Sequence, residues 1–463
     1  MRDCIATADG RRRVTRALFM IITMVAANPL RTFAQTEAIT TQPPSIIVPN
    51  YNGVPAGPLG GLEGSANVAR ATDTSAPWFN PAGLSRAGTQ ISGSAGTYKL
   101  TTVSPGFLPT TGGSTEQIPN LAGATAKWKG FTFGFALVTT VSWSQGTDTD
   151  DVFTNPEGNP ERFAFSADSG MHQRVSAAAV GYDINKQWRI GAGLALTETG
   201  VRTTQVISDR IKDERGLHTL LISARAGGSS EWIRTIIGVQ VEPSPGLQIG
   251  GVIRTSGFSF GKSGSVTLDS TLDGAPASVG ASIFDQSAQF DYRLPFEAAV
   301  GVAYIAKRAE IEFDVQGYSS VAPHALLSSS EPVTIYTDPG TGAPATIEPR
   351  PFVPNITASR ALANFSVGGH VQLLASRPLT VHAGVATDHS PVAPEDQVFD
   401  AVDFVVWTVG VSGAVGKLTF ALGANYRKGS SDNVVLRNLL AEPIQTTMSV
   451  KTVGVTYSIN YKF

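Results

Sequence analysis

The final eleven residues, Val453–Phe463 (VGVTYSINYKF), alternate without a fault. Val453, Val455, Tyr457, Ile459, Tyr461 and Phe463 take one face; Gly454, Thr456, Ser458, Asn460 and Lys462 take the other. A side-chain period of two belongs to an extended strand that is apolar on one side only. A single strand of this kind suits a soluble sandwich as well as a membrane. Its repetition points to the membrane. Segments of about ten alternating residues recur from Thr89 onward, parted alternately by tight turns and long polar loops. The pattern predicts an all-β chain, a transmembrane antiparallel β-barrel of about fourteen strands. In lipid every backbone polar group needs a partner, so the sheet must close and the last strand must pair with the first. A C-terminal strand ending on an aromatic residue is also what barrel-insertion machinery is expected to engage.

Composition agrees. Glycine is plentiful at 48 residues, charged residues make up 16 %, and the formal charge of −2 argues against a nucleic-acid partner. The N-terminus reads as a secretory leader over residues 1–34: a basic cluster (Arg11, Arg12, Arg13, Arg16), an apolar core Ala17–Leu30, and Thr32-Phe33-Ala34 before cleavage. An uncleaved anchor is the alternative, but the apolar run is short and contains Pro29. Cys4, the only cysteine, falls inside the leader, so the mature chain has no disulfide, no thiol nucleophile and no cysteine metal site.

Residues 35–88 form an N-terminal extension followed by a plug, and residues 89–463 the barrel. The strand Phe131–Trp143 sets Phe131, Phe133, Phe135 and Leu137 on one face and Gly134 on the other. Asp209–Ser230 breaks the alternation; Leu217, Leu220, Leu221 and Ala224 have helical spacing and predict a short helix in an external loop. Leu247–Leu268 reads as one strand, Gln286–Ile305 as another kinked at Pro295, and Ala322–Ala358 as a long Pro-rich loop. A barrel of about 8 strands is filled by its own side chains, whereas 16–18 leave a channel. Fourteen strands therefore call for a plug or a conduit, and the segment before the first strand is the plug available.

That segment contains Leu62–Arg86 (LEGSANVARATDTSAPWFNPAGLSR). Within it Pro81 fixes φ and drives Asn80 out of the helical region, Asn80 can bond nearby backbone, and Gly83 permits a sharp exit. On spacing alone this reads as a turn into the first strand. The stretch resembles the N-terminal hatch of the FadL-type long-chain fatty acid and toluene transporters of the outer membrane, with Gly64, Asp73, Ser75, Phe79, Asn80, Pro81, Ala82, Gly83 and Leu84 at matching positions. The resemblance continues at Ile236–Ser256, at Leu294–Ala298 with Gly301–Tyr304, and at His382–Val392. His382 stands where the family often has Arg, Val385 where it often has Tyr, and the Pro-rich Gln35–Gly61 is longer than usual. The resemblance implies passive uptake of hydrophobic molecules by a monomer in a Gram-negative outer membrane, in contact with its lipid and lipopolysaccharide. Ligand would be captured in an external apolar groove, for which Leu217, Leu220 and Leu221 are the candidates. It would leave sideways near a kinked third strand, with Gly134 the candidate kink. No cofactor and no metal are expected.

Other chemistry is weaker. Gly257–Gly261 fits G-x-S-x-G around Ser259, but that motif needs a strand-to-helix elbow and here lies in a β run. Asp148, Asp150 and Asp151 suit either a divalent ion or a solvated loop. A general porin, a surface receptor or a barrel hydrolase remain the alternatives on the same scaffold.

Overall fold

The structure is a computed structural model that describes residues 46, 48–103, 115–154, 158–213, 216–274, 278–340, 342–373, 379–392, 402–436 and 444–463. The leader expected over residues 1–34 lies outside them. Fourteen antiparallel strands close into a barrel. They are β1 (Gln90–Val103), β2 (Thr115–Trp128), β3 (Phe131–Thr154), β4 (Pro160–Asp183), β5 (Trp188–Asp213), β6 (Gly216–Ser244), β7 (Leu247–Arg254), β8 (Glu297–Ile305), β9 (Ala309–Tyr318), β10 (Leu362–Gln372), β11 (Leu379–Asp388), β12 (Asp403–Val415), β13 (Leu418–Leu436) and β14 (Ile444–Lys462). Each pairs with its neighbours in sequence, and β14 returns to β1 from Val103↔Ser449 to Gln90↔Lys462. The terminal Phe463 amide donates to the Thr89 carbonyl at 3.0 Å, so the aromatic end seals the seam.

The barrel is inside out relative to a soluble core. Phe133 and Phe135 are each 47 % exposed, while Thr132, between Phe131 and Phe133, is fully buried. Val453, Val455, Tyr457 and Ile459 likewise point outward and Thr456 inward. Apolar side chains on the outside suit lipid, where they need no partner. The tight turn at Lys129-Gly130 has φ of 48° and 86°, the positive values of a two-residue type I′ hairpin whose twist matches the flanking strands.

At the long-loop end, several expectations are corrected. The described residues of Asp209–Ser230 hold no helix: β5 and β6 run on and pair through Asp213↔Gly216. Leu217 and Leu221 are exposed on one side of β6 and Leu220 is half-buried on the other, so the three do not share a groove. Both faces of this extension carry apolar residues, which erases the period of two and leaves an accidental helical spacing. Asp148, Asp150 and Asp151 fall on β3 rather than in a loop, and Asp150 pairs with Arg162 at 2.6 Å. The chain from Leu247 breaks after Arg254 and resumes as Phe258–Asp273, pairing with the outer half of β6. Gly257, at φ 78°, makes the break. Residues 291–296, including Pro295, are not strand; they lead into β8. The expected loop Ala322–Ala358 contains the strands Val321–Ser328, Val333–Asp338, Thr346–Arg350 and Asn355–Ser359. These outer strands enclose an apolar core of Trp232, Leu268, Phe290, Leu327 and Ile335 beyond the lumen.

The outward face makes a direct prediction. Phe135→Arg should destabilise the barrel by about 2–4 kcal/mol, as for a cation at the lipid midplane, while Phe135→Leu should cost little. Urea-driven unfolding in lipid vesicles measures both; equal costs would contradict the assignment of this face to lipid.

Candidate functional site: a hatch inside the barrel

Residues 50–88 of the N-terminal segment are packed inside the barrel rather than beneath it, while Ile46 and Val48 join the apolar core at the long-loop end. The wall admits it by withholding side chains. A Cβ on Gly191 would strike Pro81, on Gly238 Asn80, on Gly250 Val68, and on Gly384 the Glu63–Gly64 peptide. Gly64 itself has φ 66°, and a Cβ there would lie 3.0 Å from the Val385 amide nitrogen. Gly134 belongs to this cradle: a Cβ would meet Leu84 and Pro77. The ladders on both sides of Gly134 are unbroken (Thr125↔Gly134↔Ala179), so it is not a kink. The irregularity of β3 lies further on, between Thr139 and Val141.

Asn80 anchors the middle of the hatch. Its backbone is extended (φ −160°, ψ 105°) because Pro81 follows, and its side-chain oxygen accepts from the Ala82 amide at 3.1 Å, capping the 3-10 turn Pro81–Arg86. Its side-chain amide donates to the carbonyls of Val68 at 2.8 Å, Val239 at 3.1 Å and Gly251 at 3.3 Å. Thus the Asn-Pro-Ala motif both turns the chain and ties it to β6 and β7. Asp73 accepts from the Ser75 amide at 2.8 Å and hydroxyl at 2.5 Å, starting the helical turn Ala76–Phe79. Arg254 of β7 donates to the Trp78 carbonyl at 2.6 Å, covers the Trp78 ring at 4.3 Å, and pairs with Glu297 of β8 at 2.9 Å. Arg234 takes the other Glu297 oxygen at 2.7 Å.

A second charged group sits toward the short-turn end. Arg70 pairs with Glu63 at 2.6 Å, with Glu312 at 2.7 Å and with Glu310 at 3.3 Å. Asp314 accepts from the Asn67 amide at 2.8 Å and the Val68 amide at 3.2 Å. Glu63 Oε1 also meets His370 Nδ1 at 2.9 Å and His382 Nδ1 at 2.6 Å. Burial alone would push the Glu63 carboxyl up. Hydrogen bonds from His370 and His382, and the charge of Arg70, outweigh it and hold the group well below the usual carboxylate range. Among the described residues, Glu63, His370 and His382 are the one set with metal-ligand spacing.

The described part of the Pro-rich extension runs toward the other end. Asn50 donates to the carbonyls of Asp388 at 2.7 Å and Val402 at 2.9 Å, Tyr51 stacks on Tyr318 at 4.6 Å, and the Val54 amide donates to the Thr140 carbonyl at 3.1 Å. Between extension and hatch is a cavity of about 90 Å³, lined by Val68, Trp78, Phe79, Leu294, Phe365 and Val406 among others. Beside it the wall is incomplete. The β2–β3 ladder ends at Leu121↔Val138, and above it side chains span the gap: Thr139 donates to the Pro119 carbonyl at 2.7 Å and Ser142 to Glu116 at 3.2 Å. Ser259 lies in a strand, with its hydroxyl on the Gly261 carbonyl, not at an elbow. Leu217, Leu220 and Leu221 do not line the cavity.

The N-terminal residues named from the sequence lie against wall residues that the sequence reading did not single out. A signal was available: Glu310, Glu312 and Asp314 alternate with Ile311, Phe313 and Val315, an acidic lumen face opposite a lipid face.

These contacts can be broken one at a time. Arg70→Met should strip Glu63 and Glu312 of their partner and cost about 3–5 kcal/mol, read as faster hydrogen exchange of the hatch amides; unchanged exchange would contradict it. Acid acts on the same group with a definite sign. The folded Glu63 value lies below the unfolded one, so its stabilisation is complete above the usual carboxylate range and fades only as pH falls through the depressed value. Hatch protection, followed by the same exchange measurement, should therefore persist on acidification from neutral down to that range.

No protein-family model matches the sequence, and no curated protein matches it. Solved structures do. A FadL homologue of Pseudomonas aeruginosa aligns at 14 % identity and TM-score 0.53, over 90 % of this chain and 99 % of that one. The toluene transporter TbuX of Ralstonia pickettii aligns at 14 % identity and TM-score 0.53, over 89 % and 99 %. The toluene transporter TodX of Pseudomonas putida aligns at 13 % identity and TM-score 0.52, over 90 % and 100 %. The chain has the fold of the FadL-type transporters, the family its N-terminal motif resembles.

Proposed function

We propose that the protein is a passive transporter of hydrophobic small molecules, long-chain fatty acids or aromatic hydrocarbons, in the outer membrane of a Gram-negative bacterium. The observation that carries this reading is the cavity against the hatch, beside the stretch where the wall has lost its ladder. An apolar solute loses about 0.8 kcal/mol per CH₂ on entering water, so an open aqueous pore serves it badly. A pocket with apolar residues in its lining, next to a gap in the wall, serves it better. Its size suits a closed state. A cavity of about 150 Å³ holds benzene, and the present one is about 90 Å³. A ligand must displace hatch side chains to enter. Capture falls to the apolar surface at the long-loop end, hatch movement follows, and exit runs sideways between β2 and β3. That toluene transporters stand among the structural neighbours supports the ligand class. A general porin fits less well, because the hatch hydrogen-bonds to wall strands on several sides of the lumen.

A deletion strain carrying Ala386→Phe, which fills the cavity, should take up radiolabelled toluene or oleate no faster than the strain without the gene, while the wild-type gene restores uptake. Removing residues 35–85 should raise single-channel conductance sharply. Restored uptake by Ala386→Phe, or unchanged conductance after the deletion, would sink the proposal.

A further inference from the structure

The lower charged group of the hatch is not balanced by its own side chains. Three carboxylates, Glu63, Glu310 and Glu312, surround the single guanidinium of Arg70. With neutral imidazoles these groups alone leave two negative charges in excess (three minus one), and Asp314, in contact with Glu312, adds a fourth carboxyl to the cluster. Two histidines stand in the same place. His370 is in register with Glu310 across β9–β10 and with His382 across β10–β11, so the three side chains form one row on the lumen face. Glu63 reaches that row from the hatch, and its Oε1 and both Nδ1 atoms lie within 4.8 Å of one another. Glu63 and His382 are shut away, at 2 % and 1 % side-chain exposure, whereas His370, at 22 %, opens the group to the lumen.

The outer nitrogen of His382 is placed as a metal-binding histidine places it. Such a ring turns its other nitrogen to a carboxylate, carbonyl or hydroxyl, which fixes the tautomer and leaves the inner lone pair free. Here His382 Nε2 is 2.8 Å from the Ser412 hydroxyl, while His370 Nε2 faces a Glu310 oxygen at 3.9 Å, beyond hydrogen-bond reach. In the metal-free cluster Glu63 accepts from both Nδ1 atoms; with their protons moved to Nε2, both Nδ1 lone pairs would be aimed toward Glu63. Two histidines and one glutamate are a zinc ligand set that leaves a fourth position for water.

We propose that Glu63, His370 and His382 bind one divalent transition-metal ion of the zinc class, through Glu63 Oε1 and the two Nδ1 atoms, and that the ion clamps the hatch to the wall. Its two charges would offset the excess that Arg70 leaves among Glu63, Glu310 and Glu312. Arg70 stays on the other Glu63 oxygen, where Glu312 and Glu310 offset its charge. Ligands about 2.0–2.2 Å from zinc stand roughly 3.3 Å apart in a tetrahedron. The present separations of 2.6 and 2.9 Å require a small opening, which the hatch and the half-open His370 allow.

Protons on both histidines would balance the same charge, and the test separates the two. Purified full-length protein in detergent at pH 7.5 is titrated with Zn²⁺ by calorimetry and with Co²⁺ by absorption. One ion per chain, with the intense visible bands of tetrahedral cobalt, is expected. His382→Gln should abolish binding, His370→Gln should weaken it severely, and Ser412→Ala should weaken it about 10-fold. Zinc should also slow exchange of the hatch amides. Heat-modifiable gel mobility verifies folding, and the more exposed His370→Gln decides if His382→Gln fails to fold. Absence of saturable binding by the wild type overturns the proposal, as does binding that His370→Gln leaves unchanged. A cluster balanced by protons alone gives the first of these results.

Discussion

The structure depends on the need of every backbone N–H and C=O in lipid for a partner within the protein. An open sheet would leave two edges bare, so β14 must find β1, and it does along fourteen residue pairs. Closure at this strand number fixes a lumen too wide for the wall's own side chains to fill. The same alternation then divides the chemistry. Each step that turns Phe133 or Phe313 toward lipid turns Gly134 or Glu312 inward, so the lumen is polar and glycine-rich because the outside is apolar.

A polar lumen dictates how a plug is held. Buried ion pairs recover little more than the desolvation they cost, but a charge left without its partner is expensive, about 3–5 kcal/mol. The hatch is fastened by such pairs at two levels, Arg254–Trp78 with Glu297 on one side and Arg70 with Glu63 and Glu312 on the other. Interactions of this kind define one seating sharply while adding only modest net stability. The apolar core at the long-loop end is built otherwise. Phe290, Leu327 and Ile335 are held there by strand pairing, Phe290↔Leu327 and Ile335↔Ala281, and by apolar burial, which favours a permanent shell.

Much of this was legible in the sequence, and the failures have physical causes. The barrel, its strand number and its closing strand were written in strict alternation, because one face meets lipid and the other does not. The tight turn at Lys129-Gly130 parts two such strands, with Gly130 at a positive φ that glycine adopts readily. Reading failed where both faces carry apolar residues or where the strands are short. Asp209–Ser230 lies in the outer parts of β5 and β6, where Leu217 and Leu220 point to opposite sides and kept no period to betray them, and Ala322–Ala358 holds strands of five to eight residues. The hatch motif was visible as Asn80-Pro81-Ala82, but not its partners. Val239, Gly251, Arg254 and Glu297 are brought to it by closure, a relation with no trace in local spacing. His382 was noticed as a departure from the family pattern; that it faces Glu63 follows only from the seating of the hatch.

The Pro-rich extension gains a place in this scheme from a weak seam in the wall. A barrel can open sideways only where a ladder is already missing, since breaking a complete one in lipid exposes unpaired backbone. The β2–β3 ladder stops at Leu121↔Val138, and the next turn of β3 carries a bulge at Thr140. On the lumen side that stretch is covered by Val54, packed with Tyr98 and Ile118, and the Val54 amide occupies the Thr140 carbonyl that the bulge sets free. Proline-rich chain suits this position because it holds an extended course without offering every amide to the wall. In the proposed route the extension is thus the inner leaf of the exit. A ligand in the cavity would touch Tyr51, Val54 and Trp78 together, so on the proposed route one displacement would loosen the hatch and uncover the seam.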